Sequence, residues 1–274
     1  MAAAERITVG GRTLRFSNPD KVLYPSTGTT KRDVLEYVLR ASDALMAHAA
    51  GRPVTRKRWV DGVGTARKPG AVFFQKTLEK GAPDWIETVE QRHSTGPKQY
   101  PLLTEAGTLA WMAQMGALEL HVPQWRMIDG EKANPDRLVL DLDPGEGADL
   151  DDCAQVALWV RELLVDIGLE PFPLTSGSKG IHLYARLDGT GRLLAGSADL
   201  GSARYHIDVY AAGSRFGIQP VRGTVAASPG ALVEAFNATA CRLALQGGGT
   251  VDIAITRLRG GEADIEISGP VPGF

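Results

Sequence analysis

Apolar and polar positions follow two different periods along the chain, and each period predicts a different kind of element. Alternation on both sides of Gly10-Gly11 predicts a hairpin of two short strands, Arg6–Val9 and Thr13–Phe16. Apolar stripes at helical spacing predict three helices, over Lys31–Ala49 with Thr30 as cap, from Thr104 as cap through Gly116, and over Asp149–Ile167. Further apolar runs predict strands at Pro53–Trp59, Ala71–Lys76, Leu118–Val122, Leu138–Asp143, Pro171–Thr175, Ile181–Leu187, Tyr205–Tyr210, Val251–Ile255 and Ala263–Ile267.

These elements mix without a regular β-α-β rhythm, which favours an α+β fold over a doubly wound sheet. The 274 residues suffice for one large domain or two packed lobes. No window approaches the ~18 continuous apolar residues of a membrane span, and the first residues lack an apolar signal core. We therefore expect a cytoplasmic protein with no membrane partner. Cys153 and Cys241 lack metal-ligand spacing and are expected in the core.

Charge is distributed unevenly although the net charge is only -2. Residues 1–100 carry 17 Lys and Arg against 10 Asp and Glu, a net of +7; the remainder carries 13 against 22, a net of -9. A basic half could meet nucleic-acid phosphates, and an acidic half could hold divalent metals. The same asymmetry could equally be a fluctuation over solvated faces.

Two aspartates lie at the end of the predicted strand Leu138–Asp143. Side chains alternate across a strand, so Asp141 and Asp143 point to the same face, and Pro144-Gly145 then ends the strand. Two neighbouring carboxylates repel each other unless a cation lies between them or one is protonated. Oxygen ligands of this kind suit Mg²⁺ or Mn²⁺. The alternative is a solvated acidic tip that enters a turn.

A Gly/Ser-rich loop follows about thirty residues later. Thr175-Ser-Gly-Ser-Lys-Gly180 lies between two predicted strands and leads into His182. Its glycines allow close backbone approach to a phosphate, and Ser176, Ser178 and Lys179 add donors and a positive charge. The spacing is not that of a Walker A loop, and a plain hairpin turn is the alternative. Together with the acidic tip, the loop indicates a site for a metal–nucleoside triphosphate.

Seven segments resemble, in order, the polymerase domain of bacterial end-joining ligases (the LigD polymerase domain), a member of the archaeo-eukaryotic primase superfamily. They fall within about residues 14–188 and are Asn18–Pro25, Thr29–Lys31, Gly51–Trp59, Phe73–Lys76, Leu118–Trp125, Leu140–Gly147 and Thr175–His182. The resemblance implies a primase–polymerase fold, with two packed mixed-sheet lobes and flanking helices around a central cleft. It implies a single domain over residues 1–274, of which residues 189–274 diverge from the family.

The resemblance also implies roles for individual residues. Asp141, Asp143 and a third carboxylate would be the catalytic ligands of two divalent metal ions, Mn²⁺ or Mg²⁺, with NTP or dNTP as substrate. The incoming nucleotide would be bound by Ser176, Lys179, His182 and His121. A DNA end would be bound by Lys21 and Lys31 at its 5′-phosphate and by Phe73 and Phe74 stacked on its bases. Solvated surface for the lysines and core packing for the phenylalanines are the alternatives. As adjacent strand residues, the two phenylalanines are expected to differ in exposure.

The family pattern departs after about Leu187. Only a short Gly-, Ala- and Ser-rich stretch precedes the strand with Asp208, the candidate third catalytic and metal-binding carboxylate. The polar residues that follow that aspartate in the family are missing, so a plain surface acid is the alternative. Arg222 matches a triphosphate-binding arginine only faintly.

Three functions are therefore open. The first is a template-directed nucleotidyltransferase, a primase–polymerase that adds nucleotides, with a ribonucleotide preference, at DNA ends or gaps in non-homologous end joining. The second is a catalytically weak DNA-end-binding module, and the third is a metal-dependent nucleotide-binding enzyme without a template. For end joining, the family implies DNA ends with a 5′-phosphate, a Ku-type partner and a separate DNA ligase, and a nucleoid-associated cytoplasmic location.

Overall fold

The computed structural model describes residues 4–166, 169–208, 221–246 and 249–267. The chain divides into two compact units, Met1–Asn134 (unit 1) and Pro135–Phe274 (unit 2), each described by itself. That residues 1–274 form a single domain stays a prediction. Strands and helices are mixed in both units, as the sequence predicts. None of the described helices combines the length and apolar content that crossing a membrane requires.

Unit 1 consists of short antiparallel sheets around three helices. Its elements are β1 (Ala4–Val9), β2 (Arg12–Ser17), β3 (Val22–Tyr24), β4 (Thr29–Thr30), α1 (Lys31–Arg40), α2 (Ser42–Ala49), β5 (Thr55–Arg58), β6 (Gly64–Thr65), β7 (Lys68–Pro69), β8 (Phe73–Gln75), β9 (Thr88–His93), β10 (Gly96–Pro101), α3 (Ala106–Gln114), β11 (Ala117–His121), β12 (Trp125–Ile128) and β13 (Glu131–Pro135). The largest of its sheets has the order β11-β5-β8.

The three helices of unit 1 differ from the predicted helices in their caps and bounds. Thr30 caps α1 as predicted, in a reciprocal capping box with Asp33. The predicted helix Lys31–Ala49 is interrupted at Ala41, so it forms α1 and α2. The predicted cap of α3 at Thr104 is wrong. Glu105 occupies the cap position without a side-chain cap bond, and its carboxylate instead accepts a hydrogen bond from Arg12 Nε at 2.9 Å.

The core of unit 1 is built around α3, whose residues 107–113 are all buried. A helix that is apolar on every side requires neighbours on every side, and here the hairpin β1–β2, α1 and α2 provide them. That hairpin pairs in register from Ala4↔Ser17 to Val9↔Arg12, which confirms the prediction around Gly10-Gly11. Both glycines have positive φ, as a tight two-residue turn requires.

Unit 1 also buries charged side chains. Arg56 is fully buried on β5; its Nη1 donates to Glu79 Oε2 at 2.6 Å, and its guanidinium lies 5.0 Å from the Trp111 ring. Arg58 donates to the other oxygen of Glu79, also at 2.6 Å. One carboxylate therefore neutralises two arginines, and it ties the segment after β8 to the central strand of the sheet.

A second buried cation is Lys31, at the start of α1. It is 7% exposed, its Nζ donates to the Ser17 carbonyl at 2.7 Å, and it lies 5.3 Å from the Phe16 ring. Burial, helped by the nearby Lys21 ammonium, lowers the pKa of Lys31 to about 8 from 10.5.

Unit 2 contains a three-stranded sheet and a closed six-stranded barrel. Its elements are β14 (Arg137–Leu142), α4 (Leu150–Asp166), β15 (Pro171–Thr175), β16 (Ile181–Arg186), β17 (Asp188–Ala195), β18 (Ala198–Asp208), β19 (Val221–Ala226), α5 (Pro229–Asn237), β20 (Cys241–Ala244), β21 (Thr250–Arg259) and β22 (Glu262–Ile267). The sheet has the order β14-β16-β15, and the antiparallel barrel has the order β17-β18-β19-β22-β21-β20.

The sheet of unit 2 agrees with the prediction. Strands β14, β15 and β16 and helix α4 fall within two residues of their predicted bounds; Ile167, the predicted helix end, lies outside the described residues. The helix packs on one face of the sheet, where Leu164 meets Leu183 and Ala185 in a shared core. The other face carries Asp141 and His182 of the candidate site.

The barrel was only partly predicted. Strands β18, β21 and β22 include the predicted Tyr205–Tyr210, Val251–Ile255 and Ala263–Ile267, although Val209 and Tyr210 lie outside the described residues. Strands β17, β19 and β20 and helix α5 were missed. Leu193, Val225, Leu243 and other inward-facing residues fill the interior and pack against Leu232 of α5. The first barrel strand, β17, begins at Asp188.

We predict that replacing Glu79 by Gln destabilises unit 1 by about 3 kcal/mol or more, because an uncompensated Arg56 would stay buried. Urea unfolding followed by tryptophan fluorescence tests this, since four of the five tryptophans lie in unit 1. The matched control is Glu90→Gln on β9. The Glu90 carboxylate is exposed and accepts a hydrogen bond from Gln99 Nε2 at 3.2 Å. Equal stability of the two variants would contradict the role of Glu79.

A second prediction concerns pH. Folded Lys31 releases its proton near pH 8, whereas the unfolded lysine keeps it until about pH 10.5. The unfolded state therefore binds more protons between these values, so the free energy of unfolding should rise with pH there, by up to about 3 kcal/mol. Lys31→Met should be more stable than the unmodified protein at pH 7 and should lack this rise. The measurement is urea unfolding from pH 7 to pH 10; parallel pH curves for the two proteins would refute the burial cost.

Candidate nucleotide and DNA-end sites

The two predicted metal-binding aspartates lie at the carboxyl end of β14. Asp141 is directly opposite His182 of β16, and His182 Nε2 is 3.3 Å from Asp141 Oδ1. The Asp141 side chain is 66% exposed, so its carboxylate is open to a ligand. Asp143 follows one residue after the strand ends, as the Pro144-Gly145 turn predicts.

The Gly/Ser-rich loop packs against this acidic tip. A Cβ built on Gly180 would lie 2.5 Å from Asp143 Oδ1 and closer still to the Leu142 carbonyl, so only glycine fits. Lys179 Nζ lies 3.5 Å from the Pro144 carbonyl. The structure therefore brings Asp141, Asp143, Lys179 and His182 to one edge of the sheet.

The loop is also a hairpin turn between β15 and β16, so the two interpretations of its sequence are compatible. The Ser176 amide donates to the Gly180 carbonyl at 2.9 Å, and the Ser176 hydroxyl accepts from the amides of Ser178 and Gly180. Gly177 has φ +78, which favours glycine. The Ser176 oxygen that was predicted to bind a nucleotide is therefore also the acceptor that fixes the turn.

Divalent cations with oxygen ligands fit this edge in chemical terms. Mg²⁺ is commonly held by one or two carboxylates and completes its shell with water and substrate phosphates, and Asp141 and Asp143 supply two. Within residues 4–166, 169–208, 221–246 and 249–267, no three His, Cys, Asp or Glu residues converge as a metal would require. Among these described residues, Asp141 and Asp143 are therefore the two carboxylates that the sheet itself supplies at this edge.

The predicted third carboxylate, Asp208, belongs to the barrel rather than to the sheet that carries Asp141. It ends barrel strand β18, where the Ile207 amide donates to the Leu187 carbonyl at 2.6 Å and the Leu187 amide donates to Asp136. Asp136 and Asp141 are at opposite ends of β14, about 16 Å apart along the strand. Instead, Asp208 Oδ1 lies 3.3 Å from His206 Nε2. The strand pairing of the barrel thus places Asp208 towards the amino end of β14, and its role as a third metal ligand stays a prediction.

Arg222 is in the same region of the barrel as Asp208. It is opposite Asp208 in the β18–β19 ladder, and its Nη2 lies 3.1 Å from Glu266 Oε1 on β22. It therefore lies with Asp208 at the far end of β14. The predicted contact of Arg222 with the triphosphate of a nucleotide stays a prediction.

In unit 1, His121 ends β11 on an exposed face of the β11-β5-β8 sheet. Its Nε2 lies 3.2 Å from Glu119 Oε2, and its ring meets Phe74 edge-on with a centroid separation of 5.8 Å. Glu119 also accepts from Lys57 Nζ at 2.9 Å, and Lys57 lies over the rings of Trp59 and Phe74. Sequence reasoning missed Lys57 and Glu119, although the two-residue spacings Lys57-x-Trp59 and Glu119-x-His121 indicate one shared face.

Phe73 and Phe74 are both exposed, at 55% and 60%. The expectation that they differ in exposure is wrong because β8 is a three-residue edge strand, open to solvent on both faces. Core packing is thereby excluded for both, and large exposed aromatic rings suit stacking on bases.

The two predicted phosphate-binding lysines lie close together but in different environments. The Lys31 amide donates to the Lys21 carbonyl at 2.8 Å. Lys21 is partly exposed and pairs with Asp61 at 2.7 Å, so its ammonium can reach a ligand. Lys31 is buried with its ammonium on the Ser17 carbonyl, which excludes the solvated-surface alternative for this residue.

Comparisons with known proteins show which proteins this chain is similar to. The LigD protein of Mycolicibacterium smegmatis, a multifunctional non-homologous end joining protein, is 49% identical over 174 residues, 64% of this chain and 22% of the relative. The bifunctional LigD protein of Bacillus subtilis is 32% identical over 174 residues, which are 64% of this chain and 26% of that protein. The matched part therefore spans about a quarter of these relatives.

A solved structure is similar as well. The polymerase domain of Mycobacterium tuberculosis ligase D, solved in complex with DNA, superposes with a TM-score of 0.58 at 47% sequence identity. The match covers 66% of this chain and 61% of that one. Finally, the sequence model described as LigD, primase-polymerase domain, matches residues 30–198, which is more than half of the chain. The chain therefore belongs to the LigD primase-polymerase domain family.

Proposed function

We propose that this chain is a nucleotidyltransferase that binds a divalent metal with an NTP or dNTP at the carboxyl end of β14 and adds nucleotides to DNA ends. The observation that carries the proposal is the convergence of Asp141, Asp143, Lys179 and His182 at one edge of one sheet. Membership of the LigD family supports a template-directed reaction in a primase–polymerase cleft. A preference for ribonucleotides belongs to the same proposal.

Each group at this edge has a task that its chemistry allows. Two Mn²⁺ or Mg²⁺ ions, when bound, would lower the pKa of the attacking hydroxyl and neutralise the triphosphate. Asp141 and Asp143 would hold these ions from the same side. The Lys179 ammonium is a point charge for the phosphates, and the loop amides next to it are further donors. His182, held by Asp141, would donate a hydrogen bond to a phosphate oxygen.

The partners follow from the same family membership. DNA ends with a 5′-phosphate are the proposed substrate, with Lys21 as the phosphate contact and Phe73 and Phe74 as stacking surfaces. The names of the relatives refer to non-homologous end joining, which supports double-strand break repair as the setting. A Ku-type end-binding protein and a DNA ligase are proposed as partners.

A catalytically weak DNA-end-binding module is the second candidate. The position of Asp208 favours it, because two carboxylates would have to do the work of three. The proposed DNA-binding residues of unit 1 do not depend on the number of carboxylates at the metal site. The two candidates differ in nucleotide transfer and agree in end binding.

The first test is a primer–template extension assay with Mn²⁺ and labelled ribonucleotides. We predict that Asp141→Asn with Asp143→Asn lowers extension on the order of 10²-fold or more, because the charge that holds the metals is lost. DNA binding should persist. Asp208→Asn serves as the matched control and should retain extension. The end of β18, which carries Asp208, lies near the amino end of β14, whereas Asp141 lies near its carboxyl end.

Each outcome of this assay has one meaning. Unchanged extension in the double variant would refute the metal site at β14. Loss of extension in Asp208→Asn alone would restore the three-carboxylate site. No extension by the unmodified protein, with tight binding of DNA ends, would favour the second candidate.

The second test concerns the DNA end. We predict that Lys21→Ala removes the preference for 5′-phosphorylated over 5′-hydroxyl ends, a loss of roughly 10-fold, because it removes a charge-assisted hydrogen bond. Fluorescence anisotropy with two duplexes that differ only in this phosphate gives the ratio. Lys80→Ala, another exposed lysine of unit 1, is the control. Equal binding of both duplexes by the unmodified protein would refute the phosphate contact.

A further inference from the structure

The face of the β14-β16-β15 sheet that does not carry α4 has an ordered pattern of side chains. Strand pairing arranges them in three rows across the sheet. The acid–histidine row is Asp141, His182 and Leu174; the aromatic row is Val139, Tyr184 and Phe172; the arginine row is Arg137 and Arg186. Neighbouring rows are about 7 Å apart, since they differ by two residues along each strand. The candidate metal site therefore lies at one end of a surface on which acidic, aromatic and basic rows follow one another.

The aromatic row is open to a ligand. Phe172 is 50% exposed, and Leu174 beside it is 57% exposed. The Tyr184 ring contacts the His182 ring edge-on at 6.0 Å, so the aromatic surface is continuous with the acid–histidine row. Large apolar side chains that remain exposed next to a polar site usually mark a binding surface.

The arginine row supplies positive charge on the far side of the aromatic row. The Arg137 guanidinium lies 6.0 Å from the centre of the Tyr184 ring, and the Arg186 side chain is 68% exposed. Arg186 is 3.9 Å from Asp188, a loose pair that a phosphate can replace. The order across the face is thus carboxylates, aromatic rings, then guanidinium groups.

This order fits a single strand of nucleic acid. Aromatic side chains on an open sheet face stack on bases without regard to sequence, and arginines bind the phosphates between those bases. An uncharged apolar ligand has no anionic group that could pair with the arginines. Resting on the proposed function, the polarity of the strand follows as well, because the hydroxyl that reacts must reach Asp141 and Asp143.

We propose that this sheet face binds the 3′-terminal segment of a single strand, with a base stacked on Phe172 and Tyr184 and the preceding phosphate at Arg186. The terminal hydroxyl then points towards the acid–histidine row. Phe172 and Arg186 are binding residues in this scheme.

The test is binding of short fluorescein-labelled oligothymidylate, measured by anisotropy without metal or nucleotide. Full-length protein carrying Phe73→Ala and Phe74→Ala is the background, so that the aromatic residues of unit 1 do not contribute. Phe172→Ala should weaken binding by about five-fold or more, whereas Phe172→Tyr should preserve it. The matched control is Phe236→Ala on α5, a phenylalanine that is also 50% exposed in unit 2. Arg186→Gln should reduce the salt dependence of binding by about one phosphate contact.

Equal affinity of Phe172→Ala and Phe236→Ala would overturn the inference, and so would an absence of oligothymidylate binding at low salt in the background protein. Light scattering gives a further check: a change from dimer to monomer in Phe172→Ala alone would assign this face to self-association and overturn it too. Calorimetric binding of Mn²⁺ with a nucleoside triphosphate separates this inference from the proposed function. Phe172→Ala should retain that binding, which tests the β14 site alone.

Discussion

The absence of room for a side chain at position 180 is the constraint on which the candidate site of unit 2 depends. Gly180 lies against the end of β14, where any Cβ would collide with the Leu142 carbonyl and the Asp143 carboxylate. That close approach brings the Gly/Ser-rich loop and the acidic tip to the same place. It also sets the register in which His182 faces Asp141. The geometry of the site is thus a consequence of backbone packing rather than of attraction between its charged groups.

In unit 1, buried charges have a comparable structural role. Glu79 neutralises Arg56 and Arg58, and the Ser17 carbonyl accepts from Lys31. Each pairing joins segments distant in sequence, because a buried cation must find its partner wherever the fold provides one. The candidate DNA-binding residues of the unit, such as the partly exposed Lys21 and the exposed Phe74, are held by a core in which these buried charges are paired.

The sequence was informative wherever the structure is local. Apolar runs predicted β14 and β16, Thr30 as a cap predicted the start of α1, and the Gly/Ser loop predicted the turn before His182. These features depend on residues a few positions apart.

Non-local competition explains the errors. Glu105 rather than Thr104 precedes α3, and its carboxylate is taken by Arg12 from a distant hairpin. The barrel strands β17 and β19 are rich in glycine, alanine and threonine, so their inward and outward positions differ little in polarity. The surroundings of Asp208 are equally non-local: its strand pairs with β17 and β19, and no sequence pattern near Asp208 indicates those partners.

Closure of the barrel has a consequence for how the site could be altered. Every barrel strand already has two hydrogen-bonded neighbours, so no barrel edge is available to extend the sheet beside β14. A described barrel strand could bring a third carboxylate to Asp141 only by giving up hydrogen bonds to one of its barrel neighbours, which would open the barrel. The short connection between β14 and α4 also carries a carboxylate close in sequence to this site, because Glu146 is three residues from Asp143. The closed barrel therefore limits change through its described strands and leaves this connection as one place where the site could be altered.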